Sequence, residues 1–289
     1  MRIAIFPTCI ADAMFPYAPV ATVRLLERLG HEVVFPADQA CCGQMHVNTG
    51  YYRMAMPVIR NYVRSFEPML DGEWDAVVAP SASCVGSVRH QQAMVARQEG
   101  DEALARQAER VAERTYDLSE LLVDVLGVED VGATFPHRVT YHPTCHSLRM
   151  IKVGNRPLRL LRAVRGIDLV PLPEAESCCG FGGTFALKNA ETSTAMVADK
   201  ADHIVATGAE VVVSGDYSCL MNIGGRLSRD GADVRVAHLA EVLVATADEP
   251  WEPAVLPPRR GEAGCACDGP PGSGCAGAPA SAAAAGGAR

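Results

Sequence analysis

Short runs of apolar and β-branched residues alternate with helical patterns along most of the chain. Seven runs predict strands, at residues 2–6, 32–35, 75–79, 138–142, 168–172, 210–214 and 233–237. Their apolar content is typical of parallel strands that are covered on both faces of a sheet.

Helical periodicity fills the intervals between these runs. Residues 20–29 carry apolar side chains at helical spacing and stop at Gly30, and residues 158–165 stop at Gly166 in the same way. Strand, crossover helix and strand therefore occur in each half of the chain. The pattern predicts an α/β fold of two pseudo-repeated halves with mostly parallel strands.

Composition sets the expected boundaries. Residues 88–126 are rich in Ala, Glu, Gln and Arg and predict one or two helices without a strand, so we expect halves at 1–126 and 127–250. From residue 251 to 289 the chain is rich in Pro, Gly and Ala, a composition that favours disorder. Cys265, Cys267 and Cys275 lie in this tail and have no assigned role.

The charge balance excludes some functions. The chain has 26 Lys and Arg against 34 Asp and Glu, a formal net charge of −8, and no clustered basic stretch of the kind that binds nucleic acid. Its first residues lack the pattern of a secretory signal, and no apolar run is long enough for a transmembrane helix. We expect a cytoplasmic protein.

Eight of the 11 cysteines form one pattern written twice. In each copy a lone cysteine is followed by a Cys-Cys-Gly triplet and another lone cysteine: Cys9, Cys41, Cys42 and Cys84, then Cys145, Cys178, Cys179 and Cys219. The pairs follow the first cysteine after 31 and 32 residues, and the last cysteine follows after 41 and 39. Two homologous halves are implied.

In a reducing compartment such thiols are expected to be ligands instead of disulfides. Cysteines at the ends of parallel strands converge at one edge of the sheet. Gly43 and Gly180 allow the sharp turn by which adjacent cysteines face one site. Four thiolates in each half match the complement of a [4Fe–4S] cluster, so one or two such clusters are predicted. Zinc alone, a vicinal disulfide switch and plain buried cysteines stay open as alternatives.

Longer boxes surround the cysteines. Cys41-Cys42-Gly43-Gln44, residues 178–185 (CCGFGGTF) and residues 219–225 (CLMNIGG) resemble the CCG-domain iron–sulfur proteins, in particular the lactate utilization protein A family. This family is similar to the cysteine-rich subunit of heterodisulfide reductase and to the glycolate oxidase iron–sulfur subunit. The resemblance covers about residues 1–245.

The resemblance implies an oxidoreductase subunit, the electron-transfer component of a system that oxidises L-lactate to pyruvate. It also implies two partners, a ferredoxin-like iron–sulfur subunit and a third small subunit. The wider family often has a fifth cysteine in each half, three residues before the last, and some of its members hold noncubane clusters. Ser81 and Asp216 occupy those places here, which favours an ordinary cubane cluster. Some relatives hold zinc in the first half, so zinc there stays open.

No catalytic residue is assigned. The glycine-rich segment 180–183 lacks the spacing of a dinucleotide site, so hydride transfer is expected on another subunit.

His142 and His146 flank Cys145 and could bind metal or carry a proton, although a strand-end imidazole bonded to backbone is the commoner arrangement. Asp216 is interpreted as a turn residue. Two other functions stay open, a thiol/disulfide reductase-like subunit and a zinc-stabilised scaffolding module.

Overall fold

Each half of the chain carries four parallel strands. The computed structural model describes residues 1–253, and its strands are β1 (Arg2–Ile5), β2 (Glu32–Val34), β3 (Ala76–Ala79), β4 (Thr115–Asp117), β5 (Arg138–Tyr141), β6 (Asp168–Val170), β7 (Val211–Ser214) and β8 (Arg235–His238). Their orders are β2-β1-β3-β4 and β6-β5-β7-β8, so the second sheet repeats the topology of the first.

Helices connect the strands of both sheets. They are α1 (Cys9–Met14), α2 (Tyr17–Arg28), α3 (Gln44–Asn48), α4 (Tyr52–Phe66), α5 (Ala82–His90), α6 (Gln92–Gln98), α7 (Glu102–Ala112), α8 (Leu118–Glu120), α9 (Arg156–Arg162), α10 (Phe185–Lys188), α11 (Ala190–Ala206), α12 (Tyr217–Asp230) and α13 (Leu239–Val244). A 3-10 turn spans Glu67–Met69, and π-helical turns span Leu121–Val125 and His146–Met150.

The central strand of each sheet marks a change of direction in the chain. β1 pairs with β2 on one side and β3 on the other, with Ile3 opposite Val33 and Ala76. β5 lies between β6 and β7 in the same manner. In open α/β sheets ligands collect beyond the carboxyl ends of the strands at such a switch point. Each sheet therefore has one expected binding edge.

One hydrophobic core joins the two halves. Ile3 and Val78 of the first sheet belong to the same buried cluster as Val139, Val211 and Val213 of the second. Helices of the two halves also pack on each other: α13 of the second half packs on α2 of the first, and α9 of the second half packs on α8 of the first. The core between the two sheets is thus built from both halves.

The opposite face of each sheet has a separate core that contains cysteines. In the first half Val77 packs with Cys42 and Cys84. In the second half Val212 packs with Cys179 and Cys219. The buried thiols are thus fixed by the same packing that covers the sheets.

All seven predicted strands form, and β4 was missed. The prediction that residues 88–126 contain one or two helices without a strand is wrong, because β4 and several helices occupy this segment. Asp117 ends β4 and caps α8, and Glu120 bonds back to the Asp117 amide. His238 and Glu241 form the same capping box between β8 and α13. The Asp117-x-x-Glu120 spacing is typical of a helix start, but the prediction for this segment was based on composition and did not use it.

The predicted disordered tail, residues 251–289, lies outside the described residues except for residues 251–253, and its three cysteines lie outside them altogether. The boundary between the halves near residue 127 stays a prediction. Within residues 1–253, none of the helices is both long enough and apolar enough to cross a bilayer.

The shared core predicts that both halves lose structure together. Leu25 is fully buried in that core, whereas Val20 on the same helix is 54% exposed. We expect Leu25→Ala to lower the free energy of unfolding by about 2–5 kcal/mol through loss of buried contacts and a residual cavity. Val20→Ala serves as the control and should change it by about 0.5 kcal/mol or less.

The two tryptophans report on different parts of the fold. Trp74 lies in the first-half core, and Trp251 packs on Phe135 in the core that both halves share. Urea unfolding of Leu25→Ala, followed in Trp74→Phe and Trp251→Phe backgrounds, should give coincident transitions. Two separated transitions would contradict a shared core.

Candidate metal centre

All eight predicted cysteines line one cavity of about 220 Å³, with walls from both halves. Cys9 begins α1, which follows β1 after a short loop, and Cys84 lies in the first turn of α5 after β3. Cys145 follows β5, and Cys219 lies in the first turn of α12 after β7. The two sets of thiols, which lie in separate halves of the sequence, therefore face the same space.

The two sets are buried in the same way. Within each set the first cysteine and the first member of the pair are half-buried, and the other two are buried; the half-buried thiols are Cys9, Cys41, Cys145 and Cys178. The Sγ atoms of Cys9 and Cys41 are 3.5 Å apart. Each set is thus open on its cavity side and closed on its core side.

A glycine turn lets both thiols of each pair face the site. Gly43 and Gly180 have φ values of 87° and 79°, in the left-handed region that glycine adopts without strain. Their amide N–H groups donate to the Sγ atoms of Cys41 and Cys178, at 3.4 and 3.3 Å. In each CCG triplet the glycine amide thus stabilises negative charge on the sulfur of the first cysteine.

Amide side chains hold the second cysteine of each pair. The Nε2 atom of Gln92 donates to the carbonyl of Cys42 at 3.0 Å, and the Nδ2 atom of Asn222 donates to that of Cys179 at 2.7 Å. Neither residue had a role in the sequence-based prediction. The amides lie 50 and 43 positions from the cysteines that they support, so no local spacing reveals the contact.

The thiols within each set share charge unequally. Hydrogen bonds from Cys42 and Cys9 hold the pKa of Cys41 well below its usual range, and those from Cys145 and Cys179 do the same for the pKa of Cys178. Hydrogen bonding to Cys41 and to Cys178, followed by burial, raises the pKa of Cys9 and of Cys145. The first cysteine of each pair is the preferred thiolate, and thiolate is the form that binds metals.

A hydrogen-bonded bridge ties the two sets together. The Oδ2 atom of Asp216 accepts from the hydroxyl of Ser81 and the amide of Ser83, both at 3.0 Å. Its Oδ1 atom accepts from the amide of Ser218 and caps α12. Asp216 was interpreted as a turn residue, but its backbone is extended, and it acts as a helix cap and as a bridge to Ser81. The two positions at which the wider family often has a fifth cysteine contact each other here.

A second contact between the halves lies beside the CCG triplet. The Nε2 atom of Gln44 donates to the carbonyl of Ser83 at 2.8 Å and lies 3.0 Å from Nε2 of His146. Burial lowers the pKa of His146, so its ring accepts this hydrogen bond in the neutral form. His146 is therefore satisfied by a side chain from the other half.

His142 differs from the expected backbone-bonded imidazole. The side chain is fully buried, and neither ring nitrogen has a hydrogen-bond partner among the described residues. One ring nitrogen and the Sγ atoms of Cys179 and Cys219 all lie within 4.8 Å of one another. Burial lowers the pKa of His142 to about 3, so the ring is neutral. A buried neutral imidazole thus lies beside two buried thiols.

A buried lysine lies behind the second set. Lys200 is fully buried in α11, and its Nζ atom donates to the carbonyls of Glu174 and Ala175 at 2.6 and 3.2 Å. Burial lowers its pKa, while charge interaction with the nearby cysteines, Cys179 first among them, favours its charged form. The sequence offered one signal for it, since Lys200 falls on the buried stripe of α11 that includes Val197 and Ile204.

The donor set suits a thiolate-bound metal centre in each half. Four sulfur atoms, a backbone N–H directed at one of them and an apolar backing wall occur twice. Soft thiolate sets of this kind select zinc, copper(I) or iron–sulfur clusters. Binding of a metal by these residues stays a prediction.

The comparisons with known proteins agree with the repeated site. The CCG cysteine-rich domain family matches residues 3–89 and again residues 139–224. Lactate utilization protein A of Oceanobacillus iheyensis is 46% identical over 243 residues, which cover 84% of this chain and 96% of that protein. The chain belongs to the CCG cysteine-rich domain family that includes lactate utilization protein A.

Other proteins align over the same share of the chain. Lactate utilization protein A of Bacillus subtilis strain 168 is 43% identical, with 84% of this chain and 99% of that protein covered. The crystal structure of a glutamate racemase from Bacillus anthracis covers 84% of this chain and 78% of that chain at 11% identity, with a TM-score of 0.31. A structural likeness this weak has no bearing on function.

The two glycines of the CCG triplets should differ in their tolerance of a side chain. A Cβ at Gly180 would lie 2.7 Å from the carbonyl oxygen of Ser193, whereas at Gly43 the nearest atoms are side-chain carbons at 3.7 Å. Gly43→Ala should cost about 1–2 kcal/mol for the left-handed conformation. Gly180→Ala should cost about 3 kcal/mol or more, because backbone must also move. Thermal unfolding of both variants measures this, and equal losses would contradict the geometry.

Removal of the bridging carboxylate should destabilise the junction between the sets. Asp216→Ala leaves the amides of Ser83 and Ser218 without an acceptor, so we expect a loss of about 2–4 kcal/mol in urea unfolding. Asp230→Ala removes an exposed partner of Arg226 on the same helix and should cost about 0.5 kcal/mol or less. Similar losses in the two variants would show that Asp216 is not a structural bridge.

Proposed function

We propose that this protein is an iron–sulfur electron-transfer component of an L-lactate-oxidising system. The observation that carries the proposal is the convergence of two equivalent four-thiol sets on one cavity. The curated relatives are named for lactate utilization, which supports the assignment of the process.

Iron–sulfur clusters fit this donor set better than zinc. Zinc sites place their ligands in short paired knuckles around one tetrahedral ion. Here each set draws its thiols from three separate strand ends and includes two adjacent cysteines, a geometry that suits a centre with several metal atoms. A cluster of this kind would supply one-electron oxidation and reduction.

The chain's own residues prepare the site for such a centre. Cys41 and Cys178 supply thiolates, and the amides of Gly43 and Gly180 donate to their sulfur atoms. Hydrogen bonds to sulfur, net charge and exposure to solvent are the means by which proteins set the potential of a cluster.

An aromatic wall excludes water behind the first set. Phe6 packs edge to face on Tyr62 and on Phe66, and all three side chains are buried in the core that contains Cys42 and Cys84. This wall keeps the core side of the thiols dry, which lowers the local dielectric constant and strengthens each hydrogen bond to sulfur.

Oxidation of a 2-hydroxy acid removes two electrons, and two centres in one cavity could hold both. The glycine-rich segment 180–183 follows a cysteine pair instead of a strand, unlike the phosphate-binding turn of a dinucleotide site. We therefore propose that lactate reacts on a partner subunit. A ferredoxin-like iron–sulfur subunit and a third small subunit are the proposed partners, in a reducing cytoplasmic setting.

Metal analysis of the protein purified without oxygen tests this proposal. We expect about eight irons and eight sulfides per chain and a visible absorption that dithionite bleaches and an oxidant restores. Cys42→Ser and Cys179→Ser should each lose about half of the iron, whereas Cys275→Ser, outside both sets, should lose none. Zinc without iron would contradict the electron-transfer proposal and favour a metal-stabilised scaffold. One zinc with about four irons would limit electron transfer to one half.

A further inference from the structure

The two sets of thiols have different surroundings at one matched position. Phe6 and His142 each follow the central strand of their sheet, and their amides donate to the carbonyls of Val78 and Val213 at 2.8 Å in both cases. Both side chains are buried. The first half therefore has an apolar ring at the place where the second half has an imidazole.

The buried imidazole of His142 should destabilise the folded protein unless its ring nitrogens find a partner. An imidazole carries a donor or an acceptor on each nitrogen, and a buried polar group without a partner destabilises a protein. Both ring nitrogens of His142 lack a partner among residues 1–253, whereas the ring of His146 is bonded to Gln44. The unpaired nitrogens of His142 therefore point to a ligand that is bound when the site is loaded.

The position of the ring indicates what the missing partner is. A nitrogen of His142 lies within 4.8 Å of the Sγ atoms of Cys179 and Cys219, which are themselves within that distance of each other. Two thiolates and a neutral imidazole on one metal ion such as zinc lie about 3.5–3.8 Å apart, whereas ligands on different irons of a four-iron cluster lie farther apart. The ring nitrogen is therefore close enough to share a metal centre with the two sulfur atoms.

We infer that His142 is a nitrogen ligand of the second-half metal centre, beside Cys179 and Cys219. The inference rests on the proposed function only in that the second-half thiols hold a metal. Phe6 offers no donor, so the first-half centre has no nitrogen ligand at the matched position. The two centres therefore differ in chemistry although their cysteines repeat.

Ligation by imidazole changes the expected order of reduction. A four-iron cluster has one terminal position on each iron, so an imidazole at one of them leaves one thiol of the second set unligated. Replacement of thiolate by imidazole raises the potential of an iron–sulfur centre, as in Rieske proteins. The second-half centre should thus be reduced before the first-half centre.

Pulsed electron paramagnetic resonance of the reduced protein, made with isotopically labelled histidine, tests the inference. We expect strong hyperfine coupling to one labelled nitrogen in the wild-type protein. His142→Phe, which copies the first half, should abolish this coupling and lower the potential of the second-half centre alone. His142→Gln is a second variant of similar polarity in case the first does not fold.

His146→Gln is the matched control, because it removes the other histidine beside Cys145 and should leave the coupling intact. Absence of strong nitrogen coupling in the wild-type protein, or its persistence in both His142 variants, would overturn the inference. If the protein holds zinc and no iron, the proposed function fails separately. X-ray absorption at the zinc edge would then still show a nitrogen ligand that His142→Phe removes, and a sulfur-only shell would overturn the inference.

Discussion

The packing of the two halves around one hydrophobic core is the constraint on which the site depends. Because α13 packs on α2 and α8 packs on α9, the carboxyl edges of both sheets are held at one cavity. Asp216 then joins the edges directly through Ser81 and Ser83. The two halves together line this cavity with eight thiols.

Some features of the site occur in both halves, and others occur in only one. The repeated parts are the strand ends, the glycine turns and the amide side chains that hold each cysteine pair, and they build two equivalent thiol sets. The differing parts are buried close to the thiols, with Phe6 in one half and His142 and Lys200 in the other. In the proposed electron-transfer component, such differences would give the two centres different potentials and so a direction to electron transfer between them.

The strand pattern and the cysteine repeat were sufficient to predict seven strands, the eight thiols and their convergence at strand ends. They did not show that both sets share one cavity, because contacts between distant segments leave no local pattern. β4 was missed because three residues, Thr115 to Asp117, are too few for a strand pattern, although the repeat of the second half implied a fourth strand. Asn222 had no predicted role because a single polar residue on a helix does not reveal its partner. Lys200 had none either, although it falls on the buried stripe of α11.

Two metal centres in one site that both halves enclose should interact magnetically. Electron paramagnetic resonance after stepwise reduction measures this interaction. We expect a signal that splits or broadens when both centres are reduced and that returns to a simple form in Cys42→Ser, which lacks the first centre. Two signals that add without interaction in the wild-type protein would contradict the shared site.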